Sequence, residues 1–260
     1  MKQTIAESIK EVDFFLFMGQ SNMAGRGIVN EEHPQRAPEL IKGAGYEYRA
    51  ISAPGQLFPI QEPFGKTEDK LDGIYDPNKS GSMVTSFVNT WYQGCHVPVI
   101  GVSASKGGSS ILRWQKDTVY LTDAEYRVKS ALKYLKDNNI NIRHKYLLWC
   151  QGETDGDNKM SGADYKKHFY NTLEEVMSWG VEHCFMIKIG LYNGPDGNDY
   201  TIIRQAQEEI ASECPNVTMC SRILETMKSR GLMKDAFHYY QQGYNEVGAD
   251  AATNILNIME

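Results

Sequence analysis

Four short, widely separated stretches of this chain carry residues suited to moving an acyl group. They are Gly19-Gln20-Ser21-Asn22, the pair Gly107-Gly108 within SASKGGSSILRW, the run Gln151-Gly152-Glu153-Thr154-Asp155, and Asp235 with His238 three residues further on. A serine hydroxyl is a weak nucleophile until a neighbouring base takes its proton. His238 is suited to be that base, because imidazole titrates near neutral pH. An Asp-x-x-His spacing lets Asp235 accept a hydrogen bond from the other ring nitrogen within one turn of chain, fixing the tautomer. Acyl transfer also needs donors aimed at the oxyanion that develops on the carbonyl. The Ser21 backbone N–H, the N–H of Gly108 (or of Gly107) and the Gln151 side-chain amide supply three candidates. Gln20, Asn22 and Glu153 flank these positions as possible site support.

The elements that would position these residues are legible as continuous apolar runs at 14–18, 97–104, 145–151, 184–190 and 216–220. Runs without alternation suit strands buried on both faces of a parallel sheet. Helical patterns lie at 82–93, 123–138, 163–179 and 199–213, with a last helix over about 241–259. Strand alternating with helix predicts an α/β chain, a three-layer flavodoxin-like fold with a five-stranded parallel sheet and helices on both faces. The first three stretches directly follow predicted strands and the fourth lies beyond the last one. All four would therefore converge on one rim of such a sheet. A segment at about 28–80 does not fit, since it carries six prolines, many glycines and no period. It leaves the carboxyl-end edge of the first strand, so it reads as the wall of a cleft, the alternative being surface decoration.

GQSNMAGRG, SKGGSSILRW, WCQGETD and DAFH, in this order across residues 14–243, resemble the SGNH-hydrolase superfamily. Within it, the blocks are most similar to carbohydrate O-acetylesterases of the sialate O-acetylesterase and family 6 acetylxylan esterase type. The resemblance implies a three-layer flavodoxin-like fold, no metal or cofactor, and removal of acetyl groups from sugar hydroxyls. It also implies that Ser21 is the nucleophile and that Asp235 and His238 complete a triad. Two departures stand out. Gln151-Gly152-Glu153 occupies the block where the wider superfamily has an Asn. Met23 stands where the G-x-S-x-G elbow of α/β-hydrolases has its second Gly.

Other readings of the same residues stay open at this level. Ser21 also suits a helix N-cap. Glu153 and Asp155 could be a paired-carboxylate machine of the glycosidase kind, but their position straight after a strand suits hydrogen bonding of the Ser21 loop better. Glu153 could also replace Asp235 as the orienter of His238. The Gly pair lacks the Gly-Lys-Ser/Thr of a phosphate loop, and no His shows paired metal-ligand spacing. Trp114, Tyr46, Tyr48 and Tyr75 could stack on a sugar or pack in the core. Arg26 and Arg113 could meet a substrate carboxylate or form internal ion pairs. A lipid or thioester hydrolase with the same triad would want a long apolar groove, which the polar 28–80 segment does not suggest. A carbohydrate-binding protein without activity would have no need of a nucleophile and base together.

Composition narrows the field. A chain of 260 residues fits one α/β domain, 1–260, burying roughly 70–75% of its unfolded surface. With 33 acidic against 27 basic side chains and a formal charge of −6, nucleic acid is not an expected partner. Polyanions are mildly disfavoured, although one local Arg can hold one carboxylate. Five scattered cysteines, including Cys150 inside an apolar run, read as buried free thiols over a disulfide framework. The first residues show no apolar signal region and no run is long enough to span a membrane, so a cytoplasmic protein is the expectation; an acetylated carbohydrate as substrate is what the resemblance implies. Oligomeric state is not legible.

Overall fold

The structure is a computed structural model that describes residue 6 and residues 9–259. Its centre is β1 (Glu11–Gly19), which is buried from Val12 onward. Phe14, Leu16 and Met18 point into one apolar cluster, while Phe15 and Phe17 point into the other. A strand covered on both faces cannot alternate polar with apolar, and this is why its sequence reads as one apolar run.

The sheet contains β2 (Gly45–Tyr48), β3 (Leu57–Pro59), β4 (Val99–Ser105), β5 (Asn141–Cys150), β6 (His183–Ile187) and β7 (Val217–Ser221) as well. Their order is β3-β2-β4-β1-β5-β6-β7, with β3 antiparallel to β2 and every other pair parallel. The five strands expected from sequence stand in the flavodoxin order. Helices α2 (Val84–Cys95) and α7 (Gln241–Met259) cover one face. Helices α3 (Val119–Asp137), α5 (Gly162–Ser178) and α6 (Thr201–Glu213) cover the other. Two short helices, α1 (Ser21–Ala24) and α4 (Glu153–Asp157), begin just past β1 and β5. No helix among the described residues is long and apolar enough to cross a membrane.

The sheet has seven strands instead of the expected five, because the 28–80 segment contributes β2 and β3 to its edge. These strands are four and three residues long, GYEY and LFP, too short to stand out as apolar runs. The rest of the segment is ordered by side-chain hydrogen bonds, which leave no period in a sequence. Arg127 of α3 is fully buried and donates to the carbonyls of Ser103 and Glu68 at 2.9 and 2.7 Å and to the Asp123 carboxylate at 2.8 Å. The Glu68 carboxylate accepts from the backbone N–H groups of Ile51 and Ser52. The buried Lys79 ammonium donates to the Gly65 carbonyl at 3.0 Å. All five cysteines are free, and Cys150, Cys184 and Cys220 are buried.

Candidate active site

Each parallel strand ends on the same rim, and the loop that follows is shaped by close approaches there. Gly19, with φ +149°, closes β1; a Cβ at this position would lie 2.1 Å from the Cys150 carbonyl oxygen. Only glycine lets the chain end of β1 tuck against the end of β5. The Gln20 carbonyl then accepts from the N–H groups of Met23 and Ala24, which starts α1. The Ser21 N–H, in the first turn, has no partner within the helix, and the Ser21 side chain is buried at the floor of the rim.

His238 arrives from the loop after β7. A backbone bridge pairs Met233 with Tyr239, and the Lys234 N–H donates to the His238 carbonyl at 2.9 Å. Within that tight loop, Oδ1 of Asp235 accepts from the backbone N–H groups of Phe237 and His238 at 3.0 and 2.8 Å. Oδ2 of Asp235 lies 2.9 Å from His238 Nδ1, and His238 Nε2 lies 2.9 Å from Ser21 Oγ. With Nδ1 donating to a carboxylate, Nε2 is the ring nitrogen left to accept a hydrogen bond from the Ser21 hydroxyl. Burial would raise the Asp235 carboxyl. The His238 hydrogen bond and the two backbone donors outweigh it and hold the group at about 2, so it is ionised at any working pH.

The glycine pair divides its two N–H groups. Gly107 donates to Asp76 Oδ2 at 2.7 Å. Gly108, at φ +69°, makes no hydrogen bond among the described residues, and a Cβ there would meet nothing within 4 Å. Of the two, Gly108 is the one with a donor to spare. Burial would raise Asp76, but the Arg26 hydrogen bond and the Gly107 N–H hold it below the ordinary aspartate range; the Arg26 guanidinium lies 2.7 Å away. Arg26 is thus internally paired while still facing the cleft.

Gln151 is corrected by the structure. It is fully buried, and its amide donates to the Ser109 carbonyl at 3.0 Å, to Asp155 and to Gln20 Oε1. The carbonyl and carboxylate acceptors inside the fold use up its hydrogens, so it offers no donor to the cleft. Gln20, its neighbour, lies on the cleft lining instead. Its Oε1 accepts from Gln151 and from the N–H groups of Gly152 and Thr154, and its Nε2, without a partner among the described residues, belongs to a side chain that lines the cleft. Sequence could have pointed here, since Gln20 immediately precedes Ser21.

Asn22 and Glu153 form a buried pair. Asn22 Nδ2 donates to Glu153 Oε1 at 2.5 Å and to the Phe237 carbonyl at 3.0 Å, and Asn22 Oδ1 accepts from the Tyr244 hydroxyl at 2.7 Å. Burial pushes Glu153 up to about 7, against the lowering effect of the Asn22 hydrogen bond. Asp155 turns the other way and receives the Ser110 hydroxyl and the Ile111 N–H, fixing the segment after the glycine pair. Glu153 does not reach His238 Nδ1, which Asp235 occupies.

The cleft over Ser21 and His238 has a volume of about 270 Å³. Arg26, Asn78 and Lys106 stand on its lining with Thr154, Asp157 and Phe237, so the walls are polar and carry both signs of charge. Asp76 and Asn78 come from the 28–80 segment, which therefore supplies a wall. Of its two readings Trp114 takes the core one: it is fully buried against Trp149 and Tyr120, and its indole N–H donates to Ser109 Oγ. Tyr48 is likewise core, Arg113 stacks on Tyr120, Tyr46 lies on β2 between β3 and β4, and Tyr75 is exposed. Burial pushes the Cys150 thiol up, as for an inert core cysteine.

A family model described as carbohydrate esterase, sialic acid-specific acetylesterase, matches residues 11–257. No curated protein matches the chain. Among solved structures, an Arabidopsis thaliana protein superposes with a TM-score of 0.63 at 19% identity, covering 94% of this chain and 98% of that one. XAC1771 of Xanthomonas citri, described as a carbohydrate acetylesterase, gives 0.60 at 14% identity over 93% of this chain and 55% of its own. Axe2 of Geobacillus stearothermophilus, described as an acetylxylan esterase, gives 0.52 at 12% identity over 96% and 94%. At such identities the likeness is one of fold.

Proposed function

The chain belongs to the carbohydrate esterases described as sialic acid-specific acetylesterases, and from that premise we propose that it removes O-acetyl groups from a sugar by serine catalysis through an acetyl-enzyme. The observation that carries this reading is the unbroken relay from Ser21 Oγ to His238 Nε2 and from His238 Nδ1 to Asp235, each step 2.9 Å.

Ser21 Oγ attacks the acetyl carbonyl carbon while His238 Nε2 takes the hydroxyl proton. The carbonyl oxygen becomes an oxyanion facing the free N–H groups of Ser21 and Gly108, with the Gln20 amide as third donor; one such donor is typically worth about 2.7–4 kcal/mol. Collapse of the tetrahedral species breaks the bond to the sugar oxygen, which leaves with the proton from His238. Water then gives a proton to His238, attacks the acetyl carbonyl and releases acetate, and Ser21 recovers its proton. Asp235 stays ionised throughout and stabilises the imidazolium.

The cleft over Ser21 and His238 favours a sugar over a lipid. The cleft is small, and charged or amide side chains make up most of its wall, which offers hydrogen bonds to hydroxyls and no channel for an alkyl chain. Sialic acid, xylan and related acetylated glycans all present the required ester. The test is acetate release from O-acetylated sialic acid and from acetylated xylan, measured side by side for the wild type and Ser21→Ala. Loss of at least ~10³-fold in the variant supports the serine mechanism, and the better substrate identifies the sugar. Equal release from both proteins would remove Ser21 from the chemistry.

A further inference from the structure

Asn22 sits beside the nucleophile in sequence, yet its side chain joins three other parts of the molecule. Its carbonyl oxygen takes the hydroxyl of Tyr244 on α7. One amide hydrogen goes to Glu153 on α4, and the other to the backbone carbonyl of Phe237, the residue before His238. The amide is fully buried, and Glu153 is 2% exposed. We propose that Glu153 is a positioning residue whose carboxyl fixes the Asn22 amide and, through it, the loop that holds His238 against Ser21. The proposal rests on the reading of Ser21 and His238 as nucleophile and base.

The hydrogen-bond inventory gives the reason. A tyrosine hydroxyl can donate or accept, so Tyr244 tolerates either orientation of the Asn22 amide. Glu153 Oε1 and the Phe237 carbonyl face the two amide hydrogens as acceptors and together select one orientation. With the Glu153 acceptor removed, a buried amide hydrogen is left unpaired and the amide is free to rotate away from Phe237. A shift of His238 by about 1 Å can cost about 10²-fold in rate, because proton transfer depends steeply on alignment. Asp235 fixes the ring within its loop, while the Asn22 contact fixes that loop relative to the nucleophile.

Among the described residues, Glu153 Oε2 has no hydrogen-bond partner. A glutamine can therefore keep its amide oxygen on Asn22 without displacing a side-chain partner of Oε2. This separates hydrogen-bond acceptance from charge. Burial raises the Glu153 carboxyl to about 7, and Oε1 can accept in either protonation state.

The experiment compares wild type, Glu153→Ala, Glu153→Gln, Asn22→Ala and the Glu153→Ala/Asn22→Ala double variant, with p-nitrophenyl acetate as probe. Ser21→Ala run alongside reports on the underlying mechanism. If it is fully active, the serine reading fails, and the Glu153 series is then read on a different reaction. With the serine reading intact, Glu153→Ala is expected to lower kcat by about 10²-fold with KM changed less than threefold. Glu153→Gln recovers most of that loss, and the double variant is no slower than the worse single one. The proposal is overturned if Glu153→Gln is as slow as Glu153→Ala, if the two alanine losses multiply, or if Glu153→Ala has wild-type kcat. Should the alanine variants fail to fold, the glutamine variant decides alone, since loss of kcat in that folded protein contradicts a role through hydrogen-bond acceptance.

Discussion

The Asp76 carboxylate accepts the Gly107 backbone N–H at 2.7 Å, and this contact sets apart two glycines that are adjacent in the chain. Because Gly107 is committed to Asp76, the neighbouring Gly108 presents the free N–H at the cleft. The same carboxylate pairs with Arg26, whose side chain is 11% exposed. Asp76 thus ties the 28–80 segment to the loop after β4.

Asp76→Ala strips Arg26 of its partner and releases Gly107 together. Breaking a buried ion pair by removing one partner typically costs about 3–5 kcal/mol. We expect a stability loss of that order in urea unfolding, and a fall in kcat for acetyl esters of about 10-fold or more as the Gly108 donor loses its alignment. Unchanged kcat in a folded Asp76→Ala protein would mean that the glycine loop is not held by this contact.

Asp235→Asn tests the orientation of His238. The amide oxygen can keep the two backbone N–H groups, but an NH2 facing Nδ1 selects the other tautomer and leaves Nε2 protonated. A fall in kcat of about 10²–10⁴-fold is expected, by analogy with the serine protease triad. The wild-type carboxyl is depressed to about 2 from an ordinary 3.8. Its contribution to stability is therefore present above about 4 and disappears as pH falls from 4 towards 2. The acid limb of the stability curve should be shallower in Asp235→Asn, as read by chemical unfolding at pH 2.5 and 5.

Glu153 has the opposite sign. Its carboxyl is raised from 4.5 to about 7 in the folded protein. The folded state then holds the proton more tightly than the unfolded chain, so stability declines as pH rises from about 4.5 to about 7. The difference corresponds to about 3 kcal/mol. Urea unfolding of the wild type at pH 5 and pH 7.5 should show this decline, and Glu153→Gln should lack it.

Arg127 is expected to be the main fastener of the 28–80 segment, since one buried guanidinium holds the Glu68 carbonyl, the Ser103 carbonyl and Asp123. Arg127→Ala should cost about 3–5 kcal/mol and expose the chain around 66–80 to limited proteolysis. Cleavage there at the wild-type rate would show that other contacts suffice.

Much of the fold was legible because buried parallel strands write themselves as apolar runs. The five predicted runs fall within or beside β1, β4, β5, β6 and β7, and the helices between them lie where the periodicity placed them. β2 and β3 were not legible, being short and held by a register that residues elsewhere decide. In the site, Ser21 was legible as a residue directly past a strand, while Asp235 and His238, well beyond β7, were legible only through their Asp-x-x-His spacing. Gln151 stands directly past a strand too, but sequence does not say which way an amide turns at a strand end. Asp155, four residues on, and the Ser109 carbonyl claim it. Trp114 shows the same limit, for an aromatic near a motif packs wherever the core has room.

The central claim is that Ser21 is a nucleophile activated by His238. The most direct measurement is the intact mass and peptide map of the protein after treatment with diethyl p-nitrophenyl phosphate, which phosphorylates activated serines. We predict one diethylphosphoryl group per chain, mapped to Ser21, absent in Ser21→Ala and formed at least ~10²-fold more slowly in His238→Ala. No adduct on the folded wild type, or an adduct that persists in Ser21→Ala, would contradict it.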